Sequence, residues 1–470
     1  MAEPAVRVGT TDEGTDADRA LVRGLGLVEA TTIVMGGIIG SGIFRAPSFV
    51  AQAVGSPGMS IMVWLVCGLI ALFGALCYAE LTSALPHTGG TYVYLREAYD
   101  APIITFLYGW VYFLVIQAAG IAAVATVFAT YVASIINTVE GATLGVWTQR
   151  GIALGCIWLL TVINCIGVRV GGQVSNLFTF LKTSAIVVLI ALGFIFAEKG
   201  SIAHFTPFWG ASTDGGFNPG VFGAAMITAL FAYEGWTFSS YVGGEVRNPR
   251  RNLPLSILIG ISAVMVIYLL VNFVYLYILP FEQLQQSEWV AADTMRVLVG
   301  PAGALLISIA VMCSTFGTVN IMLLTSPRIY YAMARDGMLF QGLTRVHPTY
   351  RTPANAILVQ GLLASAFAVA GGYDEIITYT SFPTYFLLLL VAVGVMLLRK
   401  KRPDLPRPYK VWGYPVTPLI FILVLTGYLY TLVSQWKTLQ ETLIGFAITA
   451  TGLPFYYHWR KKATAVTRDT

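Results

Sequence analysis

The sequence predicts an all-α polytopic membrane protein of twelve transmembrane helices, and three observations predict it. First, long stretches carry no charge: no Asp, Glu, Lys or Arg lies between Ala101 and Val139, Asn252 and Phe281, or Val297 and Pro327. Each run exceeds the roughly 20 apolar residues a helix needs to cross a bilayer. Second, only 11% of residues are charged and the mean hydropathy is +0.73, whereas about a quarter of a soluble domain is charged. Third, the basic residues are distributed unevenly along the chain, in a way that orients it.

Taken in order, residues 1–26 are polar and mixed in charge, without the apolar core of a signal peptide. They are expected to form a disordered cytoplasmic tail. Hydropathy and turn formers then place spans near 27–53, 58–85, 103–136, 151–168, 173–197, 218–243, 254–280, 300–327, 353–371, 375–398, 413–434 and 440–459. Linkers such as "LPHTGG", "NPRRNLP" and "RPDLPRPY" separate them. With the N-terminus inside, 22 of the 28 basic residues fall in inner segments. Outer segments hold only Arg45, Arg150, Lys199, Arg296 and Lys437, and Lys182 lies mid-span. This bias predicts a multi-pass protein of the plasma membrane with both termini, including the 460–470 tail, in the cytoplasm. It also accounts for the net charge of +5, so no nucleic-acid partner is expected. All five cysteines lie in apolar spans without metal-ligand spacing, and neither metal nor cofactor is expected.

Span 1 contains "GGIIGSGIFRAP", residues 36–47, and span 6 contains "FAYEGW", residues 231–236. Five spans separate the starts of the two, so they enter the membrane from opposite faces. If spans 1–5 (27–197) and 6–10 (218–398) are repeats, they are inverted repeats, with spans 11 and 12 (413–459) added. Interrupted helices at matching positions of inverted halves point to a transporter binding site.

The first break would expose unpaired N–H groups and a positive helix end at Gly40, Ser41 and Gly42, suited to a carboxylate. Carbonyls at Ile38, and around Phe231 and Ala232, would suit an ammonium. Together these ends fit a zwitterionic α-amino acid. The alternative for the glycines is close helix packing, for which Gly36 and Gly40 have the spacing. Phe231 and Trp236 are candidate aromatic gates, or ordinary core. Glu234 is a mid-membrane carboxylate that would hold the substrate amine, carry a proton or brace the unwound backbone. Lys182 is read as a fixed ammonium in place of a coupling cation, or as a lysine facing a water-filled vestibule.

Four motifs in order, "GGIIGSGIFRAP", "GALCYAELTSALPHTGGTYVYLREAYD", "FAYEGWTFSSYVGGEVRNPRRNLPLSI" and "STFGTVNIMLLTSPRIYYAMARDGML", resemble the amino acid–polyamine–organocation superfamily. Within it the chain is most similar to bacterial members of the L-type amino acid transporter family. The resemblance implies the LeuT-type 5+5 inverted repeat plus two C-terminal helices, and alternating access by amino acid exchange. It assigns the carboxylate to Ser41 and Gly42, the amine to the Ile38 and Phe231 carbonyls, and the sodium-replacing lysine to Lys182. Asn320 lies in the span 8 motif with its role open. The outer loop "NTVEGATLGVWTQR" has no cysteine, so no disulfide-linked heavy subunit is expected. Glu234 stands where many eukaryotic relatives have glycine, which favours small neutral substrates. The rival readings are a proton-coupled symporter and, in another class, a channel or receptor. An enzyme is not expected, because His87, His204, His347 and His458 are scattered and no nucleophile motif accompanies them.

Overall fold

A computed structural model describes residues 21–140, 143–209, 218–371, 373–434 and 436–466, and every named element in them is helical. The chain runs from α1 (Leu27–Ile38) through a short gap to α2 (Gly42–Val54), then α3 (Pro57–Ala84) and a short α4 (Thr91–Ala98). Next come α5 (Pro102–Val111), a π-helical turn (Tyr112–Ile116), α6 (Gln117–Glu140), α7 (Val146–Ile166) and α8 (Val168–Ile195). A second interrupted helix follows, α9 (Pro219–Ala232) and α10 (Phe238–Tyr241), leading to α11 (Pro249–Ile278). Short helices α12 (Phe281–Gln286) and α13 (Val290–Val299) precede α14 (Pro301–Thr325) and α15 (Pro327–Arg335). The chain ends with α16 (Ala354–Ala370), α17 (Tyr373–Lys401), α18 (Val416–Ser434), α19 (Trp436–Ala450) and α20 (Gly452–Val466).

Proline opens α3, α5, α9, α11, α14 and α15, because the first turn of a helix has no use for the N–H that proline lacks. Asn218 reinforces the start of α9 by accepting from the N–H groups of Gly220 (3.0 Å) and Val221 (3.3 Å). Among the described residues nine stretches are long and apolar enough to cross a membrane. Two shorter apolar helices, α9 and α16, lie at the predicted sixth and ninth spans, and α19 with α20 covers the predicted twelfth. The three have separate reasons: the sixth, 218–243, is cut by its break into pieces too short to cross alone, α16 has only 17 residues, and the twelfth is divided between α19 and α20.

Helix α8 shows how the pattern of residues orients a span. Ser175, Thr179, Lys182, Ile186, Leu189 and Gly193 recur at three- and four-residue spacing and are buried, whereas Phe180, Leu181, Val187 and Val188 are exposed. The apolar residues therefore cover the lipid-facing side, and Lys182 is directed inward.

The expected disordered tail is described only from Leu21 onward, and there it is anchored. Leu21 and Leu25 are buried. The Leu25 N–H donates to Glu245 O (3.0 Å) and the Arg247 N–H to Leu25 O (2.8 Å), so two extended segments pair at this end of the bundle. Beside them Glu245 and Arg328, both fully buried, form a two-point ion pair at 2.8 and 3.1 Å. Apolar burial of Leu21 and Leu25 supplies the fixation that their polar neighbours in sequence conceal.

Candidate functional site

Helix α1 stops where its hydrogen-bond ladder runs out. The Ile39 N–H still reaches Met35 O (2.8 Å), but the Gly40 N–H turns back to Ile38 O (2.8 Å). Ser41 precedes α2 without a side-chain cap, so the first N–H groups of α2 lack helical partners. Gly40 is uncrowded, since an added Cβ would make only ordinary contact with Thr318, at 3.8 Å from its Oγ1. The second break, between α9 and α10, bends at Gly235 with φ +108°, a conformation that favours glycine.

The two breaks touch. A Cβ on Gly235 would lie 2.5 Å from the carbonyl carbon and oxygen of Gly37, and one on Gly42 would lie 2.9 Å from Ala232 Cβ. Glycine packing and helix interruption, the two readings of "GGIIGSG", are thus combined. Gly36, Gly37 and Gly42 allow close approach, while Gly40 and Ser41 border a cavity.

A cavity of about 180 Å³ lies at this junction, lined on the α1–α2 side by Ile38, Gly40, Ser41 and Gly42. Phe231, Ala232, Glu234 and Trp236 line it from the other break. Eight of the ten residues expected at the site therefore share one cavity. Trp236 is buried and packs edge-on against Tyr78 (ring centroids 4.9 Å), so it forms a wall. Phe231 is half-buried, and its carbonyl already accepts the Glu234 N–H (3.1 Å). The Glu234 carboxylate makes no hydrogen bond or ion pair among the described residues, and Tyr385 and Tyr428 are its electrostatic neighbours.

Lys182 lies behind the first break rather than in the cavity. Its Nζ donates to Gly36 O and Ile39 O, both at 2.6 Å, and is 3.1 Å from Thr318 Oγ1 and 3.4 Å from Ser314 O. Its exposure is 0%, which removes the vestibule alternative. The ammonium ties the bare carbonyls of α1 to α14. Asn320 is also fully buried and outside the cavity. It accepts from Asn164 Nδ2 (2.9 Å) and donates to Gly171 O (3.0 Å), fastening α14 to α7 and α8.

Tyr268 on α11 was not anticipated. Its hydroxyl is 3.1 Å from Ile38 O and 3.2 Å from Ala232 O, so it spans the carbonyl ends of both broken helices. Trp64 and Tyr233 hold its ring, with centroids 5.7 and 5.0 Å away. The available signal was a hydroxyl-bearing ring midway along the charge-free run 252–281. Ser314 and Thr318 were also missed, although their four-residue spacing places them on one face of a helix. Tyr78, Tyr108, Tyr112, Gln117 and Tyr241 complete the polar wall of the cavity, and nothing in their local patterns separates them from ordinary core.

This geometry agrees with what sequence comparison finds. The amino acid permease family matches residues 25–453. The large neutral amino acids transporter small subunit 2 of Oryctolagus cuniculus is 35% identical over 448 residues, covering 94% of this chain and 82% of that protein. The b(0,+)-type amino acid transporter 1 of Mus musculus is 32% identical over 442 residues, covering 93% and 88%. The human large neutral amino acids transporter small subunit 2 is 35% identical over 94% of the chain. With a family match across nearly the whole chain and a cavity between two interrupted helices, the protein belongs to the amino acid permease family of the amino acid–polyamine–organocation superfamily, among the L-type amino acid transporters, and is a membrane transporter rather than an enzyme.

Proposed function

We propose that this amino acid transporter is a sodium-independent exchanger of small neutral amino acids that works by alternating access. In this reading twelve spans, arranged as inverted five-helix repeats plus two, cross the plasma membrane with both termini in the cytoplasm. The observation that carries the coupling argument is Lys182. Four oxygens, from Gly36, Ile39, Ser314 and Thr318, surround its ammonium within 3.4 Å. Such an oxygen cage suits a hard cation, and the lysine ammonium occupies it in place of one. No ion need then enter or leave with substrate.

The substrate carboxylate would sit against Gly40, Ser41 and Gly42, where the N–H groups that open α2 begin; the Gly40 N–H itself is held by Ile38 O. The ammonium would meet the carbonyls of Ile38, Phe231 and Ala232 and the Glu234 carboxylate. Phe231 and Trp236 bound the site as its aromatic walls. A cavity of about 180 Å³ suits a small solute, since drug-sized ligands occupy about 300 Å³ or more. We also read the protein as acting without a disulfide-linked heavy subunit, because residues 137–150 contain no cysteine.

Proteoliposomes preloaded with serine, alanine or leucine test the reading. Uptake of labelled amino acid should require internal substrate and persist without sodium. Equal uptake into empty vesicles refutes exchange, and abolition by sodium removal refutes the role of Lys182. Accumulation in empty vesicles driven by an imposed pH gradient would instead establish proton symport.

A further inference from the structure

The end of α17 and the loop that leads to α18 carry six basic residues between 399 and 410, against one acid, Asp404. Four of the six cations are engaged inside the fold. Glu80, buried on α3, takes Arg399 at 2.8 and 2.5 Å and Arg407 at 3.4 Å. Lys401 reaches Asp100 (2.8 Å) and Arg402 reaches Glu97 (3.6 Å). Lys400 and Lys410 remain. Both are exposed, and neither side chain has a hydrogen bond or ion pair among the described residues. Asp404 is exposed too and pairs with neither of them.

The two free lysines belong to one patch. Glu80 Oε2 accepts from Arg399 and also from the Val411 N–H (2.8 Å). The neighbours in sequence of Lys400 and Lys410 therefore share one carboxylate oxygen. The loop between them is pinned as well: the Tyr409 N–H donates to Ser83 Oγ (3.2 Å) and Thr417 Oγ1 to Trp412 O (2.6 Å). On this fixed turn Trp412 is 73% exposed. Helix α18 begins four residues later, and its first turns expose Val416, Leu419, Ile420 and Leu423, an apolar surface suited to lipid tails. The indole thus stands where hydrocarbon gives way to headgroups, the depth that tryptophan favours. Two free ammonium groups beside it face the phosphates of the bilayer.

We propose that Lys400, Lys410 and Trp412 form a binding site for an anionic phospholipid, with the lysines on its headgroup and the indole at the boundary with its acyl chains. In the proposed orientation the lipid belongs to the cytoplasmic leaflet. The site is independent of the substrate and coupling readings, but it reaches the transport machinery through Glu80. That carboxylate joins the loop to α3 and α17, which supply Tyr78 and Leu387 to the cavity wall. A lipid held here braces those two helices against each other.

Lipid titration tests it. Full-length protein in neutral detergent receives phosphatidylglycerol, or phosphatidylcholine with the same acyl chains, while thermal stability is followed. Phosphatidylglycerol should stabilise saturably, at a half-saturating concentration about tenfold or more below that of phosphatidylcholine, since each lysine near a headgroup is worth about fivefold. The double variant Lys400→Gln, Lys410→Gln should erase that preference, and Trp412→Ala should weaken both lipids alike. Arg251→Gln with Arg345→Gln removes the same charge from two other exposed positions and should leave the preference intact. A second measurement needs no variant: the preference of the native protein should shrink as salt is raised. Equal stabilisation by the two lipids overturns the proposal, as does a preference that salt leaves unchanged. Equal loss in the two double variants also overturns it, because the lipid then senses only overall charge. A preference that appears only after deletion of residues 1–20, which hold five acids and two arginines, would make that tail the occupant and overturn it too.

Discussion

Substituting Gly235 by alanine tests the contact on which the site depends. Two costs combine at this residue. Its φ of +108° is strained for any side chain, worth about 1–3 kcal/mol. The new Cβ would also lie 2.5 Å from the Gly37 carbonyl and 2.9 Å from the Ile38 nitrogen. All of these are backbone atoms, so no rotamer change relieves the overlap, and overpacking of this kind costs about 1–3 kcal/mol more. The total of about 2–6 kcal/mol is large against the ~5–15 kcal/mol by which folded proteins are usually stable. Gly55 separates the two terms. It too has positive φ, +65°, but a Cβ there would meet nothing within 4 Å, so Gly55→Ala carries only the conformational cost, about 1–2 kcal/mol. The assay heats detergent-purified variants in steps, measures the monodisperse fraction by size-exclusion chromatography, and follows amino acid binding in parallel. Gly235→Ala should lose much more stability than Gly55→Ala and should bind amino acid poorly, because the two breaks are pushed apart. If the two variants behave alike, the breaks do not depend on this contact.

Lys182→Met keeps the apolar stem and removes the ammonium. Two charge-assisted bonds at 2.6 Å are lost, and exchange should fall at least about tenfold, since each such bond is worth about 1.5–3 kcal/mol. Proteoliposome uptake checks this, and an exchange rate equal to that of the native protein would count against the reading. Tyr268→Phe retains the ring contacts and removes the hydroxyl bridging Ile38 and Ala232. Amino acid affinity should change severalfold with only about 1 kcal/mol lost in stability, as titration and melting on one preparation would show. Asn320→Ala should behave in the opposite way, costing about 2–3 kcal/mol as buried partners lose their bonds, while the KM of the folded fraction stays unchanged.

Most of the spans and the two breaks were legible in the sequence because each leaves a local mark: an uncharged run, a glycine cluster, a lone acid or base in apolar surroundings. Lys182 could be singled out for that reason, since an isolated charge in a span needs a partner. Its partners were not legible. Three are backbone carbonyls, which carry no residue identity, and the fourth is Thr318, indistinguishable from any threonine in a helix. Tyr268 was hidden for the same reason, as its role depends on two carbonyls from helices 36 residues or more away in the chain. Asn320 shows the converse failure. A polar residue in a recognisable motif drew attention to the site, whereas its amide serves to join α14 to its neighbours. The anchoring of Leu21 and Leu25 was missed because short apolar positions in a polar stretch signal nothing until the partner segment at 245–247 is known.

The distribution of acceptors between the two breaks sharpens what a ligand must supply. At the end of α1, Gly36 O and Ile39 O are taken by Lys182, with Thr318 and Ser314 in support. Phe231 O has the Glu234 N–H. Ile38 O and Ala232 O share a single phenolic hydroxyl. A phenol has one proton, so Tyr268 can bond only one of those carbonyls at a time, and Ile38 O also accepts the Gly40 N–H (2.8 Å), which leaves the phenol free to serve Ala232 O. The Glu234 carboxylate nearby has no donor among the described residues. On the proposed reading, a substrate ammonium brings three donors to the Glu234 carboxylate and to the second lone pairs of Ile38 O and Ala232 O. The positive end of α2 faces the same cavity from the other side of Gly40. On that reading a molecule with an ammonium and a carboxylate on one carbon answers both demands at once, and the α-amino acid backbone, rather than any side chain, would join the two broken helices.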